Sequence, residues 1–281
     1  MAKYKKTLIT IALFLGLQII VTSVFAVVAI LRKTTVMDYM APALLISDAL
    51  VILTLWAMKY YKMKELSRTV PGNVMIMSLV LGFFAFWGIN ILTMPFDVPD
   101  YFQEIFIAMS KSFTGFLAIC IIGPVMEEIM MRRIILTEIA EATGKRWLGI
   151  IISAAIFAII HGNPIQIIFA MPAGILLGWL YCKTGSLLVP VCVHIMNNTF
   201  SFISMKMPDS GATEFNSPLT MAELIICIII SVYLIIRMVS YYSQVEKQQQ
   251  AETVEEPLQE PAAKENKPAA KGAYSGNNYE K

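Results

Sequence analysis

Long apolar runs recur along this sequence and limit its possible folds more than any other feature. A helix needs roughly 20 apolar residues to cross a bilayer. Runs of about that length or somewhat shorter lie near residues 7–31, 41–58, 74–94, 112–141, 147–161, 165–182, 187–205 and 219–242. A charged share of 15% agrees with this pattern, since soluble domains carry about 25% charged residues. We predict an all-α, polytopic transmembrane helix bundle of about eight spans.

Positive charges mark alternate loops and indicate how the chain is oriented. They occur at the amino terminus, in residues 59–68, at Lys145 and Arg146, at Lys183 and from Arg237 onward. Arg32 and Lys33, after the first run, are the exception. The intervening loops are mostly acidic, and loops rich in Lys and Arg stay on the cytoplasmic side. We therefore predict a multi-pass protein of the cell membrane with both termini in the cytoplasm. The first run exceeds the roughly 7 to 15 apolar residues of a cleavable signal peptide, which favours an uncleaved anchor.

Composition divides the chain into four parts. Residues 1–111 hold the N-terminal helices and first loops, and residues 112–205 hold a transmembrane core with clustered ionisable side chains. Residues 206–243 provide the last transmembrane helix. Residues 244–281 are rich in Glu, Lys, Gln, Pro and Ala, which bury too little apolar surface to offset the entropy of ordering. We predict a disordered cytoplasmic tail there.

Charge and cysteine content exclude two further classes of site. The formal net charge is +2, and the basic residues are spread between apolar runs, so nucleic-acid binding is excluded. The four cysteines lie inside apolar runs without CxxC spacing, which favours neither a disulfide framework nor a thiolate metal site. The partner that composition does indicate is the lipid bilayer.

Ionisable side chains at membrane depth are costly and usually functional, and here they fall in three segments. Glu127 and Glu128 lie inside the fourth run, His161 ends the fifth, and His194 lies in the seventh. At ~1.5 Å rise per residue, Glu127 and His161 both lie about 21 Å from the turn that joins their helices. We therefore predict that they meet at one level and that His194 joins them.

Helical spacing separates the roles of the two carboxylates. Glu128 and Arg132 are i,i+4 neighbours with the Glu on the favourable side, so we expect Glu128 to be neutralised locally. Glu127 projects about 100° away, and its i+4 neighbour is Met131. Glu127 is therefore the better candidate for a general base.

The helices that carry His161 and His194 each supply a second candidate side chain for the site. His194 and Asn198 share one helical stripe and form a pair of donors aimed at one place. Phe157, one turn before His161, is expected to pack on that imidazole, whereas Asn197 is expected to face elsewhere. Peptide hydrolysis needs a base for water, donors for an oxyanion and exclusion of bulk solvent, and these segments offer candidates for each.

The three segments resemble the CPBP family of intramembrane proteases, which includes the CAAX prenyl endopeptidases and the bacterial Abi proteins. The resemblance covers about residues 112–200. Family members commonly have Phe before the motif Arg and Gly after it, where this chain has Met131 and Arg133. The matching motifs are EExxxR from Glu127 to Arg132, FxxxH from Phe157 to His161 and HxxxN from His194 to Asn198.

The resemblance implies an endopeptidase that acts on membrane proteins or peptides. Prenylated CAAX tails are the substrates of its eukaryotic members, and bacteriocin immunity is a role of bacterial ones. It also implies that Glu127 and His161 activate a water molecule, while His194 and Asn198 stabilise the oxyanion. The Glu–Arg pair of the first motif would hold the helix and the base in place. On this interpretation the reaction needs no cofactor.

The same residues allow three other interpretations. Glu127, His161 and His194 could hold a catalytic zinc, since two imidazoles and a carboxylate are a familiar ligand set. We favour metal independence because Asn198 is more useful as an oxyanion donor than as a zinc ligand. A non-catalytic membrane scaffold is disfavoured because every motif side chain is present. A proton-relay transporter is disfavoured because no internal repeat is visible and the charges at membrane depth form one cluster, with Asp48 the main outlier.

Overall fold

The computed structural model describes residues 2–66, 68–207 and 214–255, and these ranges contain helices and no strand. The chain divides into two units, Met1–Val239 and Ser240–Lys281. As far as it is described, the second unit is the end of the last helix. The helices are α1 (Lys5–Arg32), α2 (Met37–Ala57), α3 (Met63–Leu66), α4 (Gly72–Thr93), α5 (Gln103–Ser110), α6 (Phe113–Thr143), α7 (Arg146–Ile160), α8 (Pro164–Thr184), α9 (Leu188–Ser204) and α10 (Pro218–Glu255).

The predicted all-α transmembrane bundle is confirmed. In the described ranges, six helices are long and apolar enough to cross a membrane, namely α1, α2, α4, α6, α8 and α10. Helices α7 and α9 are also apolar but shorter, at 15 and 17 residues. The predicted number of about eight therefore comprises six span-length helices and two shorter ones.

The last helix extends farther than the sequence indicated. Helix α10 continues past the predicted boundary at residue 243 to Glu255. The added stretch is rich in Gln and Glu, which are good helix formers. The remainder of the predicted disordered tail lies outside the described residues.

Helix α6 is a composite helix that carries the first motif. Two π-helical segments, Leu117–Ile122 and Ile129–Leu136, flank the α-helical turn Gly123–Glu128. Pro124 cannot donate a backbone hydrogen bond, and the π segment ahead of it accommodates that loss. Because hydrogen bonds in a π turn join residues five apart, side chains beyond each segment are rotated relative to an ideal α-helix.

Glycines bring α6, α7 and α8 into close contact. A β-carbon on Gly174 of α8 would lie 3.0 Å from the Ala154 side chain and 3.2 Å from the Phe157 ring. A β-carbon on Gly149 of α7 would lie 2.6 Å from the carbonyl oxygen of Leu136 in α6. Both positions therefore need glycine, and they let the helix backbones approach as small residues do between membrane helices.

The segment between α2 and α4, residues 58–71, is fastened to the core at two points, and we call it the strap. Arg133 of α6 donates hydrogen bonds to both carboxylate oxygens of Glu65, at 2.7 and 3.0 Å. The Ser186 hydroxyl, in the turn after α8, donates to the backbone carbonyl of Arg68. Arg133 occupies the position where the family that the motifs resemble commonly has glycine. In this chain its side chain holds the strap through the ion pair with Glu65.

Candidate functional site

His194 of α9 lies between the two carboxylates of α6. Its Nδ1 donates a hydrogen bond to Glu128 Oε1 at 2.9 Å, since an ionised carboxylate only accepts. Its Nε2 lies 3.5 Å from Glu127 Oε2, which is longer than a good hydrogen bond. The Glu127 side chain is 20% exposed and that of Glu128 is fully buried. Glu127 is therefore the carboxylate that a small molecule such as water reaches more easily.

Glu128 also pairs with Arg132, and both side chains are fully buried. Arg132 Nε lies 3.0 Å from Glu128 Oε2, an ion-pair distance, although the N–H is not aimed well enough at the oxygen to form a hydrogen bond. The terminal nitrogens Nη1 and Nη2 of Arg132 have no hydrogen-bond partner among the described residues. Removing the carboxylate would therefore leave an almost uncompensated buried guanidinium.

The ring of Phe157 connects the three motifs. It meets the rings of His161 and His194 edge to face, with centroids 4.8 and 5.7 Å apart. The guanidinium carbon of Arg132 lies 5.1 Å from its centroid, within the range of a cation–π contact. The sequence predicted packing on His161, whereas the structure shows that Phe157 supports both imidazoles and the arginine.

His161 reaches the cluster through Phe157. Its Nδ1 lies 2.7 Å from the Phe157 carbonyl oxygen, and because a carbonyl only accepts, we assign the proton of the neutral ring to Nδ1. Nε2 then keeps a free lone pair. No ion pair joins His161 to Glu127 in the described part of the chain; the Glu127 carboxylate faces His194 instead. The depth estimate assumed an ideal α-helix, from which the π segment after Glu128 departs.

Asn198 is tied to α6 by its amide. Its Nδ2 donates to the Ile119 carbonyl at 2.9 Å, and its Oδ1 accepts from Asn197 Nδ2 at 3.2 Å. An amide nitrogen carries two hydrogens, so one donor of Asn198 remains for another acceptor. Asn197, which we expected to face elsewhere, therefore helps to orient Asn198.

Asp48 of α2 is a carboxylate of the site that motif analysis missed. Its side chain is buried, at 5% exposed. It accepts a hydrogen bond from Gln18 Nε2 of α1 at 2.7 Å, and its Oδ2 would lie 3.7 Å from a β-carbon on Gly123, which is one turn before Glu127 in α6. The available sequence signal was a lone charge inside an apolar run, which marked Asp48 as an outlier without indicating its neighbour.

The loop that follows His161 is held by a buried amide. Asn163 is fully buried, and its Nδ2 donates to Asp100 Oδ1 at 2.7 Å. Its Oδ1 accepts from the backbone N–H of Tyr101 at 3.1 Å. The loops after α4 and after α7 therefore meet at one end of the bundle. No sequence pattern indicated this contact, because the two segments are about 60 residues apart.

The residues considered for zinc do not form a ligand group. Among the described residues, no three His, Cys, Asp or Glu side chains are placed to hold a metal ion. Glu127 and His194 face each other, whereas His161 contacts the Phe157 ring and its Nδ1 is hydrogen-bonded to its own helix. The zinc alternative therefore has no geometric support in this part of the chain.

The segment that carries the motifs is similar to known proteins. Residues 109–200 match the family described as type II CAAX prenyl endopeptidase Rce1-like. A stretch of 106 residues is 35% identical to the "Putative membrane peptidase YdiL" of Bacillus subtilis, covering 38% of this chain and 42% of that protein. A stretch of 92 residues is 35% identical to the "Membrane-embedded CAAX protease MroQ" of Staphylococcus aureus, covering 30% of this chain and 36% of that protein.

The similarity is confined to part of each protein. The chain spans less than half the length of the curated relatives it matches. No solved structure is significantly similar to it. The matched residues include all three motifs, whereas α1, α2 and α4, which pack around that segment, lie outside the family match.

Proposed function

Residues 109–200 belong to the CPBP family of intramembrane proteases, and on this premise we propose that the protein is an intramembrane endopeptidase. It hydrolyses peptide bonds of membrane-associated proteins or peptides. The observation that carries the proposal is the position of His194 between Glu127 and Glu128. Both carboxylates belong to α6, a helix long and apolar enough to cross a membrane. Such a cluster of ionisable groups is expensive in a bilayer and is explained by chemistry rather than by packing.

In the proposed reaction, Glu127 is the general base. It takes a proton from a water molecule as the oxygen of that water attacks the carbonyl carbon of the peptide bond. The neutral Nε2 of His161 orients the same water by accepting its second hydrogen. The proton on Glu127 then passes to the amide nitrogen as the C–N bond breaks, which releases a carboxylic acid and an amine.

His194 and Asn198 are the proposed oxyanion donors. Asn198 uses its second Nδ2 hydrogen, and His194 uses Nε2–H. Because Nδ1 of His194 already donates to Glu128, donation from Nε2 requires the protonated ring.

The proposed substrates are membrane proteins or small membrane peptides, including lipid-modified ones. The description of the matched family refers to prenylated CAAX tails, and the staphylococcal relative is described as a CAAX protease. We propose prenylated tails and other CAAX-type sequences as candidate substrates of this chain. A role in bacteriocin immunity is a further candidate function. In each case the scissile bond lies close to the bilayer, where the proposed site is buried.

The experiment compares the membrane peptides of cells that express the wild type, Glu127→Ala or Glu104→Ala. Glu104 is an exposed carboxylate of α5 and serves as the matched control. We expect uncleaved precursors to accumulate and their fragments to disappear in Glu127→Ala cells alone. Identical peptide profiles at equal expression of the three variants would refute the proteolytic function and favour a scaffold of the same fold.

Metal independence is a separate prediction. The proposed mechanism assigns the water to Glu127 and the oxyanion to His194 and Asn198, so no metal is needed for either task. Purified protein should keep cleaving a model membrane peptide after exhaustive treatment with phenanthroline. Activity that is lost on treatment and restored by zinc, but not by magnesium, would favour the metallopeptidase alternative.

A further inference from the structure

The end of α7, where His161 lies, is only weakly held by its own backbone. The N–H groups of His161 and Gly162 donate to the carbonyls of Ala158 and Ile159, three residues back, at 3.3 and 3.1 Å. Helix ends fray, and three-residue turns have poorer hydrogen-bond geometry than the α-helix. Gly162 then leaves the helix with a φ of +63°. The backbone of the proposed water-orienting residue therefore needs support from outside its helix.

That support comes from Asn163, two residues after His161. Asn163 is fully buried, and its Nδ2 donates to Asp100 Oδ1 at 2.7 Å while its Oδ1 accepts from the backbone N–H of Tyr101 at 3.1 Å. The same Asp100 oxygen accepts from the backbone N–H of Phe102 at 3.1 Å. We call these three hydrogen bonds the clasp. A side-chain amide that is bonded at both its nitrogen and its oxygen has little freedom, so the clasp fixes the turn after His161.

The far side of the clasp is attached to the bundle through α5. Asp100 lies just before this helix, and Met109 of α5 is buried in one apolar cluster with Ala41 of α2 and Ala118 of α6. Helix α6 is the one that carries the proposed base. Asp100 lies outside residues 109–200, which match the family. The clasp therefore joins a loop outside the family match to the end of the second motif.

We propose that Asp100 and Asn163 are positioning residues that hold His161 in the orientation that its role in catalysis requires. This inference rests on the proposed proteolytic function. His161 must keep its proton on Nδ1, bonded to the Phe157 carbonyl, so that Nε2 stays free to accept from the attacking water. If the turn moves, the ring can leave Phe157 and take the other tautomer. A displacement of about 1 Å at a reacting group is enough to lower a rate on the order of 10²-fold, and the clasp prevents such a displacement.

The first test observes the imidazoles directly by NMR, because His161 and His194 are the only histidines in the chain. In ¹⁵N-histidine-labelled protein with a histidine-free tag, at a pH where His161 is neutral, this ring should show the tautomer with the proton on Nδ1. Asn163→Ala or Asp100→Ala should raise the share of the Nε2–H tautomer at His161 and leave the His194 signals unchanged. The His161→Gln variant assigns the two rings.

The second test separates positioning from loss of stability. We expect Asn163→Ala and Asp100→Ala to lower kcat for a model membrane peptide on the order of 10²-fold with little change in KM. Asp100→Asn keeps an acceptor oxygen for Asn163 and should recover most of the loss. Asp97→Ala is the matched control, since Asp97 is an exposed carboxylate of the same loop. In a His161→Gln background, Asn163→Ala should cause no further loss, because both changes act through one ring.

The outcomes separate this inference from the proposed function. Unchanged His161 signals in both alanine variants would overturn the inference, whatever their activity. Signals that change equally at His194 would also overturn it, because they indicate a general loosening of the bundle. If Glu127→Gln cleaves normally, the proposed function fails, while the tautomer of His161 still tests the clasp. If Asn163→Ala does not fold, Asp100→Ala decides, since Asp100 is exposed.

Discussion

At the residue scale, Glu127 and Glu128 differ in their contacts and in their burial. Glu128 contacts His194 and Arg132 and is fully buried, while Glu127 contacts His194 and is 20% exposed. We expect Glu128→Gln to destabilise the protein by about 3 to 5 kcal/mol, because it leaves a buried guanidinium unpaired. Glu127→Gln should fold normally and lose activity. Yield and thermal unfolding in detergent, measured beside cleavage, check both expectations.

The opposite result for this pair would reverse the assignment. A stable but inactive Glu128→Gln together with an active Glu127→Gln would make Glu128 the base. Arg132→Met tests the structural half independently, because it removes the buried cation. It should partly restore the stability of the Glu128→Gln variant when the two changes are combined.

Asn198 is the second residue whose role a single substitution tests. Loss of an oxyanion donor acts on the transition state rather than on the bound substrate. Asn198→Ala should therefore lower kcat by on the order of 10²- to 10³-fold with little change in KM. Asn197→Ala removes only the hydrogen bond that orients Asn198, so its loss should be about tenfold or less. Equal rates for Asn198→Ala and the wild type would make Asn198 a packing residue.

At the element scale, the strap depends on the ion pair between Glu65 and Arg133 of α6. Hydrogen bonds from Arg133 hold the pKa of Glu65 below its usual value near 4.5. The ionised carboxylate therefore stabilises the folded protein fully above that value, and the contribution is lost as pH falls through the lower, folded-state pKa. Side-chain exposures of 29% for Arg133 and 27% for Glu65 limit the contribution to roughly 1 kcal/mol.

The pH dependence of the Glu65–Arg133 ion pair gives a prediction for thermal unfolding. Glu65→Gln should lower the Tm at pH 7 by about 2 to 4 °C, and the difference from the wild type should shrink as pH falls below 4.5. Arg133→Gln and the double variant complete a cycle that isolates the pair from other effects of each change. A pH-independent difference would show that Glu65 acts through packing rather than through its charge.

At the scale of the whole molecule, contacts between loops agree with the alternation of loop charge. At one end, the Glu138 carboxylate accepts hydrogen bonds from the backbone N–H groups of Lys6 and Thr7 at 2.9 and 2.6 Å. The strap is fastened at the Arg133 end of the same helix. At the other end, Asp100 meets Asn163. The amino-terminal segment and the strap are thus both attached to the second half of α6, whereas Asp100 meets the loop after α7.

Which end faces the cytoplasm is the remaining prediction. In a background without the four native cysteines, Asp97→Cys should react with an impermeant maleimide added to intact cells, and Lys145→Cys should react only after the membrane is opened. Both positions lie in loops between apolar helices. Reaction of Lys145→Cys alone from outside would invert the topology.

The helical membrane architecture and the three motifs were predictable from the amino-acid sequence alone. Helix length is a local property, because each helix must satisfy its own backbone hydrogen bonds in lipid. An i,i+4 pair such as Glu128 with Arg132 is also local, because helix geometry places the two side chains next to each other. Those constraints need no knowledge of which helices are neighbours. They also identified Phe157 as the neighbour of His161, since one helical turn separates them.

The way in which the motifs meet became visible only from the packing of the helices. The π segments of α6 change the register beyond Glu128, so an ideal rise could not show that Glu127 faces His194 rather than His161. The Asp48 carboxylate lies beside Gly123, whose lack of a side chain leaves room for it between two helices that are far apart in sequence. Such contacts depend on packing between helices, and packing depends on side-chain shape in three dimensions rather than on any spacing along the chain.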